Sequence, residues 1–311
     1  MIPIITIQGP TASGKSDLAV NLCKALDTEL ISADSRQVYK YMDIGTAKPE
    51  KKTQQEVRHH LIDIIEPTQK YSTGNFLKDS EKIIEELHQK GKIPIICGGS
   101  MLYIKNLISG ISEIPDIPDD VISFVKQLFE EKPLDHLYKE VLLIDKFFAE
   151  RISPTDKQRI SRALEVWYAF KRPLSDFWND KNANKLKYKP FQIFMDIDRI
   201  KLYDRINKRM QFMINKGLIE EIYHLLTMGY KHDSPGFKSV GYAEFLPYIV
   251  DKQLQDINIQ QDVIDLAAQH TRNYAKRQLT WYKKLNFEFA ISTETINISY
   301  MISIIRQFFD L

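Results

Sequence analysis

A chain of 311 residues has room for one large domain or two smaller ones, and its 43% hydrophobic content is ample for a core. Charged residues make up 27% and the net charge is only +2, so a polyanionic partner must be met by a local basic surface. Cys23 and Cys97 alone make neither a disulfide framework nor a metal knuckle, and no apolar run approaches membrane-spanning length, so a cytoplasmic protein is expected; nothing in the sequence sets its oligomeric state, and it is taken as a monomer.

The chain opens with MIPIITIQ, whose residues 4–7 read as a buried strand, and a helix is predicted over 17–26. Between them lies GPTASGKS. Gly9, Gly14, Lys15 and Ser16 carry the spacing of a phosphate-binding loop. Its glycines let backbone N–H groups turn inward on an anion, and the helix starting near Lys15 adds the positive end of its dipole. Lys15 supplies a mobile charge, and the Ser16 hydroxyl is placed to hold Mg²⁺. The pattern leaves open whose phosphate is held.

ELISA (29–33) predicts a second strand ending at Asp34, and HLIDII (60–65) a short third one. Residues 73–91 have helical spacing with a glycine stop, IPIICGG (93–99) reads as a fourth strand, and SMLYIKNLISG as a helix. This alternation predicts an α/β fold: a P-loop-type doubly wound parallel sheet with Gly9, Asp34 and Gly98 at its ligand-binding strand ends. A proline-punctuated acidic boundary, SEIPDIPDD, follows at 112–120. From Val121 to about Lys181 every piece reads as helix, with Pro133, Pro154 and Pro173 dividing the pieces. The predicted organisation is a core of 1–113 and 188–311 interrupted by a mainly helical insertion over 114–187. The sheet resumes with FQIFMDID (191–198), and C-terminal helices are predicted at 201–216, 218–228 and 262–285. The tail beyond Phe287 is apolar enough to pack and receives no function.

An ATP-hydrolysing loop protein carries a second strand ending in Asp that positions Mg²⁺ and water. Here IPIICGGS ends in Gly-Gly-Ser, while Asp63 and Asp196 also read as ordinary strand-end residues. Asp34, in SADSRQVY, is placed either to face the reacting end of the ligand or to cap the next turn. Lys201, Arg205 and Arg209 share a helix face at i, i+4 spacing, which suits a solvated stripe or a second anion contact. QHTRNYAKRQLTWYKK carries Arg272, Lys276, Arg277, Lys283 and Lys284 among Tyr274, Trp281 and Tyr282. That mixture suits RNA phosphates and stacked bases, or a packed helix with solvated lysines.

GPTASGKS, SADSRQVYKYMDIGTAKP, GGSMLYIKNL, QRISRALEV, DRINKRM, VGYAE and AKRQLTWYKK occur in this order at fitting separations over residues 4–285. Together they resemble the tRNA dimethylallyltransferase (tRNA isopentenyltransferase) family. With no cysteine after Cys97, the chain is similar to the shorter bacterial form. The resemblance implies transfer of the dimethylallyl group from dimethylallyl diphosphate to N6 of the adenosine 3′-adjacent to the anticodon in tRNA, releasing diphosphate. It implies Mg²⁺ as cofactor, the tRNA anticodon stem-loop as partner, and no membrane.

Catalytic roles are implied for Asp34 as general base, for Arg209, and for Ser100, where members usually carry Thr. Diphosphate would lie on Gly9, Pro10, Thr11, Ala12, Ser13, Gly14, Lys15, Ser16 and Arg205. The RNA-facing segments fall on Asp34, Ser35, Arg36 and Gln37; on Gln158, Arg159, Ile160, Ser161 and Arg162; and on Lys238, Ser239, Val240, Gly241 and Tyr242. Ile122 and Ala243 depart from the family pattern, and no contact is assigned to them. A P-loop small-molecule kinase and a non-catalytic RNA-binding protein are the other two readings. The missing second-strand Asp argues against the kinase; the intact Gly14, Lys15, Ser16 and Asp34 argue against lost chemistry.

Overall fold

A computed structural model describes residues 1–110, 114–178, 187–250 and 257–310. It divides into two compact units, Met1–Ile108 with Lys187–Leu311, and Ser109–Leu186. Residues 112–113 of the expected boundary and 179–181 of the expected helical stretch lie outside the described residues.

In the first unit β1 (Ile2–Gln8) leads to α1 (Lys15–Ala25), and β2 (Leu30–Ser32) to α2 (Lys51–Glu56) and β3 (His59–His60). Then come α3 (Thr73–Gln89), β4 (Ile95–Gly98) and α4 (Met101–Ser109). The second unit holds α5 (Asp119–Glu131), α6 (Leu134–Ile144), α7 (Lys146–Ala149), α8 (Lys157–Phe170) and α9 (Leu174–Phe177). The chain returns to the first unit with β5 (Tyr188–Asp196), α10 (Arg199–Asn215), α11 (Leu218–Thr227), α12 (Leu246–Val250) and α13 (Ile257–Tyr282). It finishes with β6 (Phe289–Ser292) and α14 (Ile298–Phe309).

Among the described residues the strands form one parallel sheet in the order β3-β2-β4-β1-β5-β6. Both faces are covered, which is why β1 and β4 are near-continuous apolar runs. Because side chains alternate along a strand, Ile5, Ile7, Ile95 and Cys97 pack on one face with Leu18 and Leu22 of α1 and Met301 and Ile305 of α14. Ile4 and Ile96 pack on the other with Phe76 and Ile84 of α3 and Ile104 and Leu107 of α4. A further core gathers Met210, Met213, Ile222, Phe245 and Ala267 from α10 to α13. The second unit has its own core of Val125, Leu137, Val141, Ile160 and Leu164. No helix among the described residues is long and apolar enough to cross a membrane.

Three local expectations are corrected, and the tail packs as expected. The third strand pairs only at His59–His60, because Leu61 and Asp63 then adopt φ of +62° and +57°. Such left-handed backbone cannot continue a ladder, and Asp63 turns aside to bond Lys48 Nζ at 2.5 Å. The helix expected through DHLYKEVLLIDKFFAERI breaks at Asp145, whose buried carboxylate accepts from Phe148 N at 3.0 Å and Ser175 N at 2.8 Å. The last long helix begins at Ile257 rather than at 262. The tail is a sixth strand, paired with β5 through Ile193 and Phe289, followed by a helix.

Candidate functional site

Successive strand ends deliver the chemistry. β1 ends at Gln8 and opens into the glycine loop, β2 into Asp34, β4 into Gly99 and Ser100, and β6 into Thr293. The loop's geometry demands its sequence. A Cβ on Gly9 would stand 2.9 Å from both Met195 Cβ and Ser13 Oγ, and Gly14 caps α1 at φ +83°. Lys15 Nζ donates to Pro10 O at 3.2 Å, while the buried Ser13 hydroxyl has no partner. An orphaned buried hydroxyl inside a glycine cradle at a helix N-terminus fits a bound anion.

Beside the loop is a cavity of about 790 Å³. Thr11, Ala12, Gly14, Lys15 and Ser16 line it on one side; Asp34, Ser35, Arg36 and Gln37 line it on another. Arg205 and Arg209 of α10, Lys238, Ser239 and Val240, and Tyr274 and Arg277 of α13 complete the wall. Asp34 caps the turn and also lines the cavity. Its Oδ1 accepts from Arg36 N at 2.8 Å, so it does cap the turn, and that bond fixes the carboxylate at the cavity wall. Ser100 stands behind it: its hydroxyl accepts from Ser35 N at 3.0 Å. Burial lowers the pKa of Lys15, opposed by Cys97 and Asp34, while Arg209 lowers it further. Burial likewise lowers that of Arg209, with Asp34 pulling it back up. One carboxylate is thus the counter-charge for two desolvated cations.

Other expected site residues lie differently. Gln37 is tied at both ends, Nε2 donating to Ala47 O at 3.1 Å and Oε1 accepting from Ser32 Oγ at 3.1 Å. Ser239 and Gly241 are buried, and Tyr242 is 0% exposed with its hydroxyl on Glu221 at 2.6 Å. A Cβ on Gly45 would meet the Tyr242 ring at 2.3 Å, so this tyrosine braces the 43–45 turn rather than presenting its ring. In the second unit, Asp156 caps α8 by accepting from Arg159 N at 3.1 Å. Gln158, Arg159 and Arg162 are exposed, Ser161 bonds Glu165 at 2.8 Å, and Ile160 sits in that unit's core. Lys201 pairs with Glu294, so the basic stripe of α10 contributes Arg205 and Arg209 to the cavity while its first member is tied to the tail. α13 is divided too: Tyr282 is core, Tyr274 and Arg277 face the cavity, and Lys105 sits 5.4 Å from the Trp281 ring.

No group of three or more His, Cys, Asp or Glu that could hold a metal occurs among the described residues. Ser16, which lines the cavity beside Lys15, is the loop hydroxyl that could hold a divalent ion together with a bound anion's oxygens.

Two contributors are missed by sequence reasoning. Thr293, at the tip of β6, accepts from Arg205 Nη2 at 3.3 Å and lies 3.5 Å from where a Cβ on Gly14 would stand. Nothing in the tail's composition marks it, because its position depends on β6 joining the sheet. Gln278 is 0% exposed and bonds Thr11 N at 2.9 Å and Gly99 O at 2.9 Å. Its signal is present in the chain: a lone amide on the apolar stripe of α13, one turn from Tyr274 and one from Tyr282.

A parallel α/β sheet with a basic, glycine-lined cavity at its strand carboxyl ends defines an α/β protein of the anion-binding class. A family model described as IPP transferase matches residues 37–285. The chain is 39% identical over 286 residues to the tRNA dimethylallyltransferase of Sulfurihydrogenibium sp., covering 92% of this chain and 90% of that one. It is 42% identical over 283 residues to that of Carboxydothermus hydrogenoformans, covering 90% and 89%. The solved tRNA delta(2)-isopentenylpyrophosphate transferase of Staphylococcus epidermidis matches it with a TM-score of 0.68 at 33% identity, covering 99% of each chain. The chain belongs to the tRNA dimethylallyltransferase family.

Proposed function

We propose that the protein transfers the dimethylallyl group of dimethylallyl diphosphate to N6 of the adenosine 3′-adjacent to the anticodon in tRNA, releasing diphosphate. The observation that carries this reading is Asp34, a carboxylate fixed in the same cavity wall as Lys15, Arg205 and Arg209. A phosphoryl-transferring enzyme needs an acid on the metal at the neighbouring strand end, and β4 ends in glycine. Here the acid faces the cavity from β2, where a proton acceptor for an attacking amine is useful.

The glycine loop, with Gly9 through Ser16, cradles the donor's diphosphate on backbone N–H groups. Lys15, Arg205 and Arg209 stabilise the charge that develops on it as the allylic C–O bond breaks and the electron pair leaves with oxygen. Ser16 would hold Mg²⁺ against the same oxygens; the ion supplies further charge neutralisation to the leaving group. As the N6–C bond forms, Asp34 accepts the amine proton, a role worth about 10²–10⁴-fold. Ser100 keeps the Ser35 amide in place and so holds the turn carrying that carboxylate.

The target adenosine must leave its stack, at a cost of a few kcal/mol. Lys238 and the 35–37 turn flank the cavity where the base would enter, and the exposed Gln158, Arg159 and Arg162 suit RNA phosphates and base edges. We take the protein to act as a cytoplasmic monomer.

The test uses the full chain with Mg²⁺, radiolabelled dimethylallyl diphosphate and unmodified tRNA, without ATP. Label should appear in precipitated RNA and vanish with Asp34→Ala, while tRNA affinity stays nearly intact. An unlabelled RNA, with tRNA bound and ATP consumed when supplied, would replace this reading with a kinase.

A further inference from the structure

Gln278 is a fully buried amide in the middle of α13, where neither charge nor shape requires a polar side chain. A buried amide is costly unless its donors and acceptor are paired, so its partners explain its presence. Oε1 accepts from Thr11 N, inside the glycine loop, and Nε2 donates to Gly99 O, at the tip of β4, both at 2.9 Å. Both partners are backbone atoms of fixed polarity, so the amide cannot flip without setting donor against donor and acceptor against acceptor.

The contact is built into the surrounding sequence as well. A Cβ on Gly99 would stand 2.6 Å from Gln278 Nε2, so a residue without a side chain lets the amide in. One turn before, Tyr274 Oη donates to Gly99 O at 3.4 Å; one turn after, Tyr282 Oη donates to Gly9 O at 3.4 Å. Tyr274, Gln278 and Tyr282 thus form one stripe of α13 laid across two strand ends. From Gly99 the chain continues directly into Ser100, whose hydroxyl accepts from Ser35 N beside Asp34. Three hydrogen bonds and the Gly99–Ser100 peptide link therefore connect the glycine loop through Gln278 to the turn that carries the carboxylate.

We propose that Gln278 is a positioning residue that holds the diphosphate loop in register with the Asp34 turn. It is not among the residues that line the cavity. Its effect is to fix the distance between the leaving group and the proton acceptor, and a misplacement of about 1 Å at such a centre is expensive in rate. The inference rests on the prenyl-transfer reading above for what the two ends do.

The experiment compares wild type with Gln278→Met and Gln278→Glu, measuring kcat and KM for both substrates, pyrophosphate affinity by calorimetry, and thermal midpoint. Gln278→Met matches the length of the amide and removes both bonds; Gln278→Glu keeps the acceptor for Thr11 N and removes the donor to Gly99 O. Gln278→Met should lower kcat/KM for dimethylallyl diphosphate by about tenfold or more, with pyrophosphate affinity falling in parallel. KM for tRNA should stay within about twofold, and Gln278→Glu should keep more kcat than Met relative to its pyrophosphate affinity.

Wild-type donor kinetics in Gln278→Met, with only a lowered thermal midpoint, would reduce the residue to packing and overturn the proposal. Should Gln278→Met not fold, Gly99→Ala brings a Cβ to 2.6 Å from Gln278 Nε2 and displaces the amide while leaving the sequence of α13 intact. The same donor-side loss there supports the proposal, and wild-type kinetics there sink it. If wild type itself transfers no label, the prenyl-transfer reading falls, while pyrophosphate affinity of wild type against Gln278→Met still judges the amide.

Discussion

Lys15 shows how a single residue's environment sets the pH range of a site. Burial lowers its pKa below the 10.5 of a free lysine, and Arg209 adds to that lowering, while Cys97 and Asp34 oppose it. The ammonium that would attract diphosphate under the proposed function is therefore complete below the folded pKa and is lost as pH rises through it, earlier than a surface lysine would lose it. Pyrophosphate affinity, titrated by calorimetry, should accordingly fall on the alkaline side before pH 10.5 is reached, and Lys15→Arg, which stays charged, should move that limb upward. Between the folded and unfolded pKa values the unfolded chain holds the extra proton, so the same lysine makes stability rise with pH across that window. Lys15→Ala at neutral pH removes a charge-assisted contact of about 1.5–3 kcal/mol, a loss of about ten- to a hundredfold in pyrophosphate affinity. Cys97, though it lines the cavity, is pushed up to about 12 by burial, so at neutral pH it is an inert thiol.

At the scale of elements, the tail and α13 have roles that their composition does not announce. β6 and α14 close one sheet edge and cover a sheet face with Met301 and the fully buried Ile305. Ile305→Ala should cost about 2–5 kcal/mol of stability, read from chemical denaturation, while KM for both substrates stays unchanged. Glycine at the end of β4 answers a different constraint. A Cβ on Gly98 would stand 2.0 Å from Ala33 O, a backbone atom that cannot turn aside. Gly98→Ala should therefore separate β4 from β2 at the tips that carry Ser100 and Asp34, lowering kcat and reducing stability by the roughly 1–3 kcal/mol typical of overpacking.

For the molecule as a whole, a net charge of +2 means that attraction for a polyanion must be local. The second unit offers Arg159 and Arg162 on the exposed side of α8, and Arg162 meets the partly buried Glu165 at 3.6 Å. Under the proposed function Arg162→Ala should weaken tRNA binding and reduce the slope of log affinity against log salt by about one, the share of a single neutralised phosphate. A binding isotherm series across salt concentrations checks it; an unchanged slope returns Arg162 to a solvated role.

The sequence by itself determined the strand–loop–helix at GPTASGKS, the alternation that makes a parallel sheet, and the placing of Gly9, Asp34 and Gly98 at strand ends. Those features are local: glycine spacing, apolar periodicity and turn chemistry act over a few residues and need no distant partner. The tertiary structure alone decided which side chains share the cavity. By helical periodicity alone Arg209 and Tyr274 read equally as solvated or core residues; the resemblance singled out Arg209, and the packing of α10 on α13 through Leu202, Ile206 and Ala275 goes with both lining the cavity. Tyr242, in a run of small and polar neighbours, turned inward because Gly45 left a space for its ring. Thr293 reached Arg205 across 88 residues of sequence, and Gln278 reached the loop across 267. Such contacts cost loop-closure entropy and form only once the whole sheet exists to hold both ends, so no local pattern could carry them.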